Sequence, residues 1–349
     1  GFILQPSMKT AVVILNWNGV KHLQTYLPSV IEFSSNEHVE IWVVDNGSTD
    51  DSCSWIEINH PSIKLVKLDK NYGFAGGYNL GIDKITADRY ILLNSDVRVT
   101  DGWIELTSET MRKLSLSACA PLVLSDQHPS LFDYAGAAGG FIDKDGFVFC
   151  AGRMFNRFES DDNYCVDKEV FWASGAALFV EADIWAEIGG LDEDLFAHME
   201  EIDLCWRLKN RGYKVGVCGK ARVYHLGGGT LATSSPFKVF LNFRNNLTIL
   251  LKNKKGFWPF FIFRRMLLDG VAATRFLFRF ELSFLLSVIQ AHFAFCLRLM
   301  PTLKMRKKEI KAIARTGGNS TGYYTKSVII QFFFFGVKKF SELKQRDFI

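Results

Sequence analysis

Three carboxylates stand within four positions in the stretch HMEEIDLCWR, as Glu200, Glu201 and Asp203. Acids at this spacing can offset the macrodipole of a helix that starts there, or one of them can serve as a general base. Asp96 closes the apolar run LLNSDV, where an unpaired charge in a buried strand would cost several kcal/mol. A carboxylate at a strand end, open to a cleft and near a second oxygen, is a natural ligand for a hard divalent cation such as Mg²⁺ or Mn²⁺. His225, in VYHLGGGT, could add a nitrogen ligand beside Asp96, with the glycines after it letting the next segment close over a ligand. Asp45, in VVDNGSTD, ends another apolar run and could accept hydrogen bonds from a ribose or a base edge. Asn46-Gly47 and Ser48-Thr49-Asp50 then supply a tight turn and a helix cap. The run NYGFAGGYNLGI at 71–82 is not a dinucleotide fingerprint, since its order is G-x-x-G-G and no P-loop lysine accompanies it. Its glycines, Gly73 and Gly76 among them, are read as allowing backbone to approach a nucleotide or diphosphate, with Asn71 and Asn79 fixing the loop.

Such residues need a scaffold that brings strand ends together. The runs AVVILN (11–16), EIWVVD (40–45), IKLVKL (63–68) and RYILLN (89–94) are β-rich, and the pieces between them are long enough for helices. This alternation predicts a doubly wound α/β domain with a parallel sheet, whose ligands bind beyond the carboxyl ends of the strands. Those ends are polar: Asn16-Trp17-Asn18-Gly19, Asp45-Asn46-Gly47-Ser48 and Asn94-Ser95-Asp96. ACAPLVL, VFWASGAALFV at 170–180 and YKVGV leading to ARVYH predict further strands of the same domain, with a helix near 181–188.

The 349 residues carry a net charge of +4, but from Lys252 onward there are 19 Lys and Arg against 5 Asp and Glu. The acidic first part and the basic last part therefore face different partners. Seven cysteines without a CxxC or a Cys/His zinc spacing predict reduced thiols in a cytosolic compartment. Residues 1–7 read as an addition ahead of a natural start at Met8, and Ala11–Leu15 is too short for the core of a signal peptide. From about 237 the chain is aromatic, aliphatic and basic, yet its longest charge-free run, Leu282–Cys296, is shorter than the roughly 20 residues of a spanning helix. On a helical wheel Arg264, Arg265, Arg275 and Arg279 share one arc of roughly 100°, the pattern of a helix lying in a membrane interface with Arg facing anionic headgroups. A packing or dimerisation helix with a solvated basic face is the other reading.

In this order and spacing, VVILNWNG, VVDNGSTD, NYGFAGGYNLGI, LLNSDV, SGAALF and HMEEIDLCWR resemble the inverting glycosyltransferases of family 2, and among them the rhamnosyltransferase-like bacterial enzymes. The resemblance runs from about Lys9 to Thr230 and implies a GT-A-type nucleotide-diphospho-sugar transferase domain over 8–236, followed by an amphipathic helical region over 237–349. It implies nucleotide contacts from Asn16, Asn18, Asp45, Asn46, Ser48, Asn71, Gly73, Gly76 and Asn79, and donor contacts from Asn94, Ser95, Ser174 and Gly175. LLNSDV resembles the family's DxD-type motif, with Asn94 at its first position and Asp96 as the metal-binding Asp, and His225 matches a His that can bind the metal. Glu201 falls where the family usually has its catalytic Asp, with Asp192 a weaker alternative base and Asp203 left mostly to helix capping. Glu can take a proton from an attacking hydroxyl, although its extra methylene moves the carboxylate by about 1 Å or more.

The expected enzyme thus transfers a sugar, rhamnose as first guess, from a dTDP-, UDP- or GDP-linked donor to a hydroxyl of a glycan or lipid-linked acceptor. Mg²⁺ or Mn²⁺ is the expected cofactor, a membrane surface and a second copy are expected partners, and nucleic acid is not. The expected location is peripheral on the cytoplasmic face of a membrane. Two rivals remain: a sugar nucleotidyltransferase, which would carry a Gly-rich, basic first loop where this chain has NWNG, and a non-catalytic glycan-binding or scaffold subunit, favoured only by the Glu at 201.

Overall fold

A computed structural model describes residues 8–133, 136–155, 157–160, 163–227 and 235–349. The first six strands and four helices alternate as expected: β1 (Thr10–Asn16), α1 (Val20–Phe33), β2 (Val39–Asp45), α2 (Ser52–Asn59), β3 (Lys64–Lys67), α3 (Gly73–Ile82), β4 (Arg89–Asn94), β5 (Val97–Val99), α4 (Trp103–Leu114) and β6 (Ala118–Ser125). A small second sheet is begun by β7 (Gly140–Asp143), β8 (Val148–Cys150), β9 (Arg153–Met154) and β10 (Arg157–Phe158). The main sheet resumes with β11 (Lys168–Val170) and β12 (Ala177–Glu181), then α5 (Ala182–Ile188), α6 (Glu200–Asn210) and β13 (Val215–His225). Four long helices follow, α7 (Pro236–Asn253), α8 (Trp258–Phe278), α9 (Leu282–Leu297) and α10 (Leu299–Thr316), and then β14 (Tyr323–Tyr324) and α11 (Val328–Phe333).

The main sheet runs in the order β11-β13-β6-β12-β4-β1-β2-β3, with β5 paired to β13. β3, β2, β1 and β4 are parallel, but β12 is antiparallel to both β4 and β6, so the sheet is mixed rather than parallel throughout. The expected single strand over 170–180 is broken at Phe171–Ala176, and only its second half joins the centre of the sheet. Alternate residues of β1 and β4 feed two cores on opposite faces. Val12, Ile14, Ile91 and Leu93 pack with α1 and α4, while Ala11, Val13, Tyr90 and Leu92 pack with α3 and the later helices. Burial of both faces explains why these strands read as unbroken apolar runs.

NYGFAGGYNLGI is a helix, α3, and not a loop over a ligand. Its glycines let that helix sit close on the sheet: a Cβ on Gly77 would meet Leu15 and Asn46 at 2.7–2.9 Å, and one on Gly81 would meet Val44 at 2.4 Å. Gly77 and Gly81 thus serve the packing of the helix on the sheet. Gly73 differs, with a φ of +75 that most residues avoid and the Phe196 ring 2.6 Å from where a Cβ would be.

The basic region is tied into this body at two places. α7 lies against α6 through a buried polar seam described below, and β14 adds a strand to the small sheet beside β7, in register Tyr323 with Ile142. Two of the four arginines expected to face headgroups turn inward instead. Arg264 pairs with Asp145 at 2.6 Å, and Arg265, buried, pairs with Asp269 at 2.8 Å while its guanidinium lies 3.6 Å from the Phe147 ring centroid. Burying a guanidinium beside a carboxylate and a ring removes the charge from water without leaving it unpaired. The outward face of α8 and α9 is apolar: Phe260, Phe263, Leu267, Val271 and Phe278 on one, Leu282, Leu286, Ile289, Phe293 and Leu297 on the other are all exposed. No single described helix is long and apolar enough to cross a membrane, although α9 and α10 together have the length and composition across a 66° bend.

Candidate active site

The carboxyl ends of β1, β2 and β4 converge, because parallel neighbours in register end together: Asn16 lies opposite Asp45, and Leu15 opposite Asn94. Asp45 is buried and its carboxylate is shared inside the protein, accepting from Asn16 Nδ2 at 3.0 Å and from the Ser48 backbone N–H at 2.9 Å. Asn18, in a left-handed turn with φ 49, accepts from the Thr49 N–H at 2.7 Å. Together these bonds lock the β1 and β2 loops into one rim. Asn46 continues it, donating to Asn71 Oδ1 and to the Gly73 carbonyl at 3.0 and 2.9 Å. Asn79 was expected in the same loop but clamps another segment, donating to the Leu191 carbonyl and Glu193 and accepting from the Leu191 N–H. Gly76 faces Tyr72 and Glu193.

Asp96 and His225 do come together. β5, just past Asp96, is antiparallel to β13, whose last residue is His225, and His225 Nε2 lies 3.2 Å from Asp96 Oδ1. The other ring nitrogen, Nδ1, is 2.7 Å from Asp133, a residue the sequence reading had missed. Burial disfavours the imidazolium, but hydrogen bonds to Asp133 and Asp96 outweigh it and push His225 up to about 10. For Asp96, burial raises the carboxyl, and the His225 bond and charge more than reverse this, holding it below its ordinary value. Asn94 Oδ1 is buried with no hydrogen-bond partner, and its amide nitrogen is 3.4 Å from His225 Nε2. Among the described residues no group of three or more His, Cys, Asp or Glu is arranged to hold a metal by itself. The residues nevertheless fit a divalent ion completed by a ligand: a carboxylate, an imidazole whose far nitrogen is fixed by a second carboxylate, and an orphaned oxygen. Gly227, the first of the glycines after His225, has φ +73, and the segment expected to close over the donor, 228–234, lies outside the described residues.

Glu201 sits in the first turn of α6, partly exposed, against Gly175, where an added Cβ would stand 3.2 Å from its Cβ and Cγ. The same segment reaches the end of β4, since the Asn94 N–H bonds the Ala176 carbonyl at 3.0 Å and Ser174 Oγ accepts from the Ala176 N–H. Ser174–Ala176 thus lies between Asn94 and Glu201. Desolvation raises the carboxyl of Glu201. Glu200, buried with Oε2 unpartnered, is raised further by burial and by the adjacent Glu201 charge. Its neutral form is the one this pocket favours.

Asp203 is not a helix cap. Its carboxylate, fully buried, takes Arg207 at 2.7 Å, Lys252 at 2.9 Å and Asn253 at 2.9 Å. Burial would raise it, but these two cations and Asn253 hold it down at about 2. Asp192, the alternative base, is likewise engaged by Lys252 at 2.6 Å. Three left-handed residues precede α6, Phe196, His198 and Met199, with φ of 64, 68 and 73. Asn245 of α7 holds that bend, donating to the carbonyls of Leu195, Ala197 and His198 at 2.9, 2.9 and 2.8 Å. Strained backbone that the surroundings over-determine is characteristic of functional loops. The sequence offered no sign of this brace, because Arg244, Asn245, Lys252 and Asn253 stand in what reads as a basic amphipathic tail.

A mixed sheet that gathers an Asp–His pair and a helix-start carboxylate at its strand ends has the GT-A fold. Residues 11–165, less than half of the chain, match the family described as Glycosyl transferase family 2, and that segment is a glycosyltransferase domain. The chain is 23% identical over 244 residues, 67% of this chain and 73% of the relative, to the low-salt glycan biosynthesis hexosyltransferase Agl10 of Haloferax volcanii. It is 23% identical over 265 residues, 71% and 85% of the two chains, to N-acetylglucosaminyl-diphospho-decaprenol L-rhamnosyltransferase of Mycobacterium tuberculosis. Among solved structures, the mannosyltransferase PcManGT of Pyrobaculum calidifontis, in complex with GDP-Man and Mn²⁺, superposes with a TM-score of 0.54 at 12% identity over 89% of this chain and 88% of that one. GalNAc-T7 with UDP, GalNAc and Mn²⁺ gives 0.53 at 18% identity, over 70% of this chain and 48% of that one. These likenesses show the fold.

Proposed function

We propose that this glycosyltransferase moves a single sugar, with rhamnose from dTDP-rhamnose as the first candidate, onto a hydroxyl of a lipid-linked glycan acceptor with inversion. The reading is supported by the Ser174–Ala176 segment, which packs Gly175 against Glu201 and bonds Asn94, two residues before Asp96, through the Ala176 carbonyl. The nucleotide rests on the rim of Asn16, Asn18, Asp45, Asn46 and Ser48, which hydrogen bonds within the protein hold ready. Asp96 and His225 would hold Mg²⁺ or Mn²⁺, with Asp133 orienting the imidazole and Asn94 close by. When bound, the ion would neutralise the donor diphosphate and make it a better leaving group. Glu201 takes the proton from the acceptor hydroxyl as its oxygen attacks the anomeric carbon. The bond from that carbon to the diphosphate breaks on the opposite face, and the electron pair leaves with the nucleoside diphosphate. The carboxyl of Glu201, raised by burial, is a better proton acceptor than an exposed Glu.

Residues 8–236 carry the chemistry in this reading, and 237–349 seat it on the cytoplasmic face of a membrane, with α7 as the brace between them. The apolar ridge of α8 and α9 enters the headgroup layer, and Arg275, Arg279 and the lysines of α10 meet anionic lipid. A nucleotide-sugar screen with Mn²⁺ tests the chemistry: wild type consumes one donor and Asp96→Ala does not, and no turnover of any donor would refute it. Flotation with phosphatidylglycerol vesicles tests the seat, and Phe278→Glu with Phe280→Glu should leave the protein unbound. Equal flotation of wild type and this variant would refute the ridge.

A further inference from the structure

Beside the loop that leads to Glu201 is a cavity of about 330 Å³ lined by Glu193, Asp194, Phe196, Phe237, Arg244 and Arg298. Its two cations come from different places, Arg244 from the middle of α7 and Arg298 from the junction of α9 and α10. Arg244 spends its N–H groups on neutral acceptors, Asn245 Oδ1 and the carbonyls of Asp194 and Leu195, and among the described residues no carboxylate stands within ion-pairing distance of it. Burial and the nearby Arg298 both pull its guanidinium below its ordinary value, and the charge of Asp194 offsets this only in part. Arg298 bonds the Asp194 carbonyl at 2.7 Å and reaches one oxygen of its carboxylate at 3.1 Å, and that carboxylate is 56% exposed. A ligand anion can exchange with so exposed a partner at small cost.

Two further observations say what kind of anion fits. The inner wall of the cavity is Phe196, which covers Gly73 at the start of α3 and belongs to the bend before Glu201, so the cavity borders the reacting centre. On its outer side Arg298 stands between Leu297 and Met300, 70% and 67% exposed, at the end of the apolar ridge of α9. A ligand lying along that ridge would therefore bring an anionic group to Arg298 as its hydrocarbon ends. We propose that the Arg244–Arg298 cavity is the subsite for the phosphate or diphosphate of a prenyl-linked acceptor, which lies with its lipid on α9 and its sugar toward Glu201. Paired guanidiniums suit such a group, since each can offer two parallel N–H bonds to phosphate oxygens. The proposal rests on the reading of a lipid-linked acceptor, and it adds where that acceptor's charge is held.

Farnesyl diphosphate in metal-free buffer is the probe, with farnesol and inorganic pyrophosphate as controls, measured by calorimetry on the full chain. Wild type should bind farnesyl diphosphate, and Arg298→Glu should weaken it by about tenfold or more, with Arg298→Lys in between. Farnesol should bind weakly and equally to wild type and variants. Unchanged affinity in Arg298→Glu, or farnesol binding as tightly as its diphosphate, would overturn the proposal. So would loss of binding in Asp96→Ala, which would place the diphosphate in the donor site. Donor turnover by wild type is measured separately, so a wild type that consumes a nucleotide sugar but fails these tests loses only the subsite.

Discussion

Asn245→Ala should cripple catalysis without touching any residue that meets a substrate. The side chain is fully buried, and its two N–H bonds serve three carbonyls at 2.8–2.9 Å. An unsatisfied buried acceptor costs about 1–3 kcal/mol, and water entering the vacated space recovers part of that, so about 2–4 kcal/mol of stability should be lost. The bend it holds contains three left-handed non-glycine residues, each strained by about 1–3 kcal/mol, which will relax once the clamp is gone. Glu201 lies two residues beyond the last of them, and a displacement of about 1 Å can cost on the order of a hundredfold in rate. The expected result is a kcat lower by roughly ten- to a hundredfold with the donor KM little changed, read from initial rates alongside thermal unfolding. Asn245→Asp isolates the cause. It keeps the acceptor that Arg244 uses at 2.7 and 2.9 Å but gives the three carbonyls no donor. If Asn245→Asp turned over like wild type, the donated bonds would not be what positions Glu201.

The buried Asp203 should make stability acid-sensitive in a defined window. Its folded pKa of about 2 lies below the unfolded value near 4, so its contribution is complete above about pH 4 and is lost as pH falls toward 2. Denaturant melts of Asp203→Asn and wild type should therefore converge across that window, and a constant gap would refute the assignment. Lys252→Met removes the cation shared by Asp192 and Asp203 and should cost about 3–5 kcal/mol at neutral pH, measured by the same melts. Glu201→Gln should abolish transfer while Glu201→Asp retains a fraction. Because the Glu201 carboxyl is raised, the acid limb of the wild-type rate profile should fall above the ordinary Glu range. Asp133→Asn should weaken Mn²⁺-dependent donor binding by about ten- to a hundredfold, seen by metal titration of a donor-induced thermal shift.

The β1–β4 part of the fold was legible because its information is local. β1, β2, β3 and β4 are buried on both faces and so spell apolar runs, and each ends in the polar residues that the parallel register then aligns, as Asn16 with Asp45. The start of the antiparallel β12 was not legible, because Phe171 to Ala176 is mostly apolar like the strand that follows and is buried without pairing in the main sheet. Gly77 and Gly81 in α3 were ambiguous in a different way: a helix pressed against a sheet and a loop pressed against a nucleotide both demand an absent Cβ, and only the neighbours, Leu15 and Val44, tell them apart.

The second half of the site depends on contacts across 40 to 100 residues, and here composition misled. Lysines and arginines after residue 237 read as one cationic face, but a helix wheel has no knowledge of what stands opposite. Lys252 faces two carboxylates, Arg264 faces Asp145, and Arg265 lies against Asp269 and an aromatic ring. With those charges drawn inward, what α8 and α9 turn outward is Phe, Leu, Ile and Val. Such a ridge asks for burial in an apolar phase rather than for adsorption by charge. Attachment by the ridge should therefore persist at a salt concentration that strips a protein held by lysines alone, since screening weakens exposed charge and leaves the hydrophobic term intact. Vesicle flotation repeated in 0.1 M and about 1 M salt decides between them, and release at the higher salt would return the attachment to the arginine and lysine side chains.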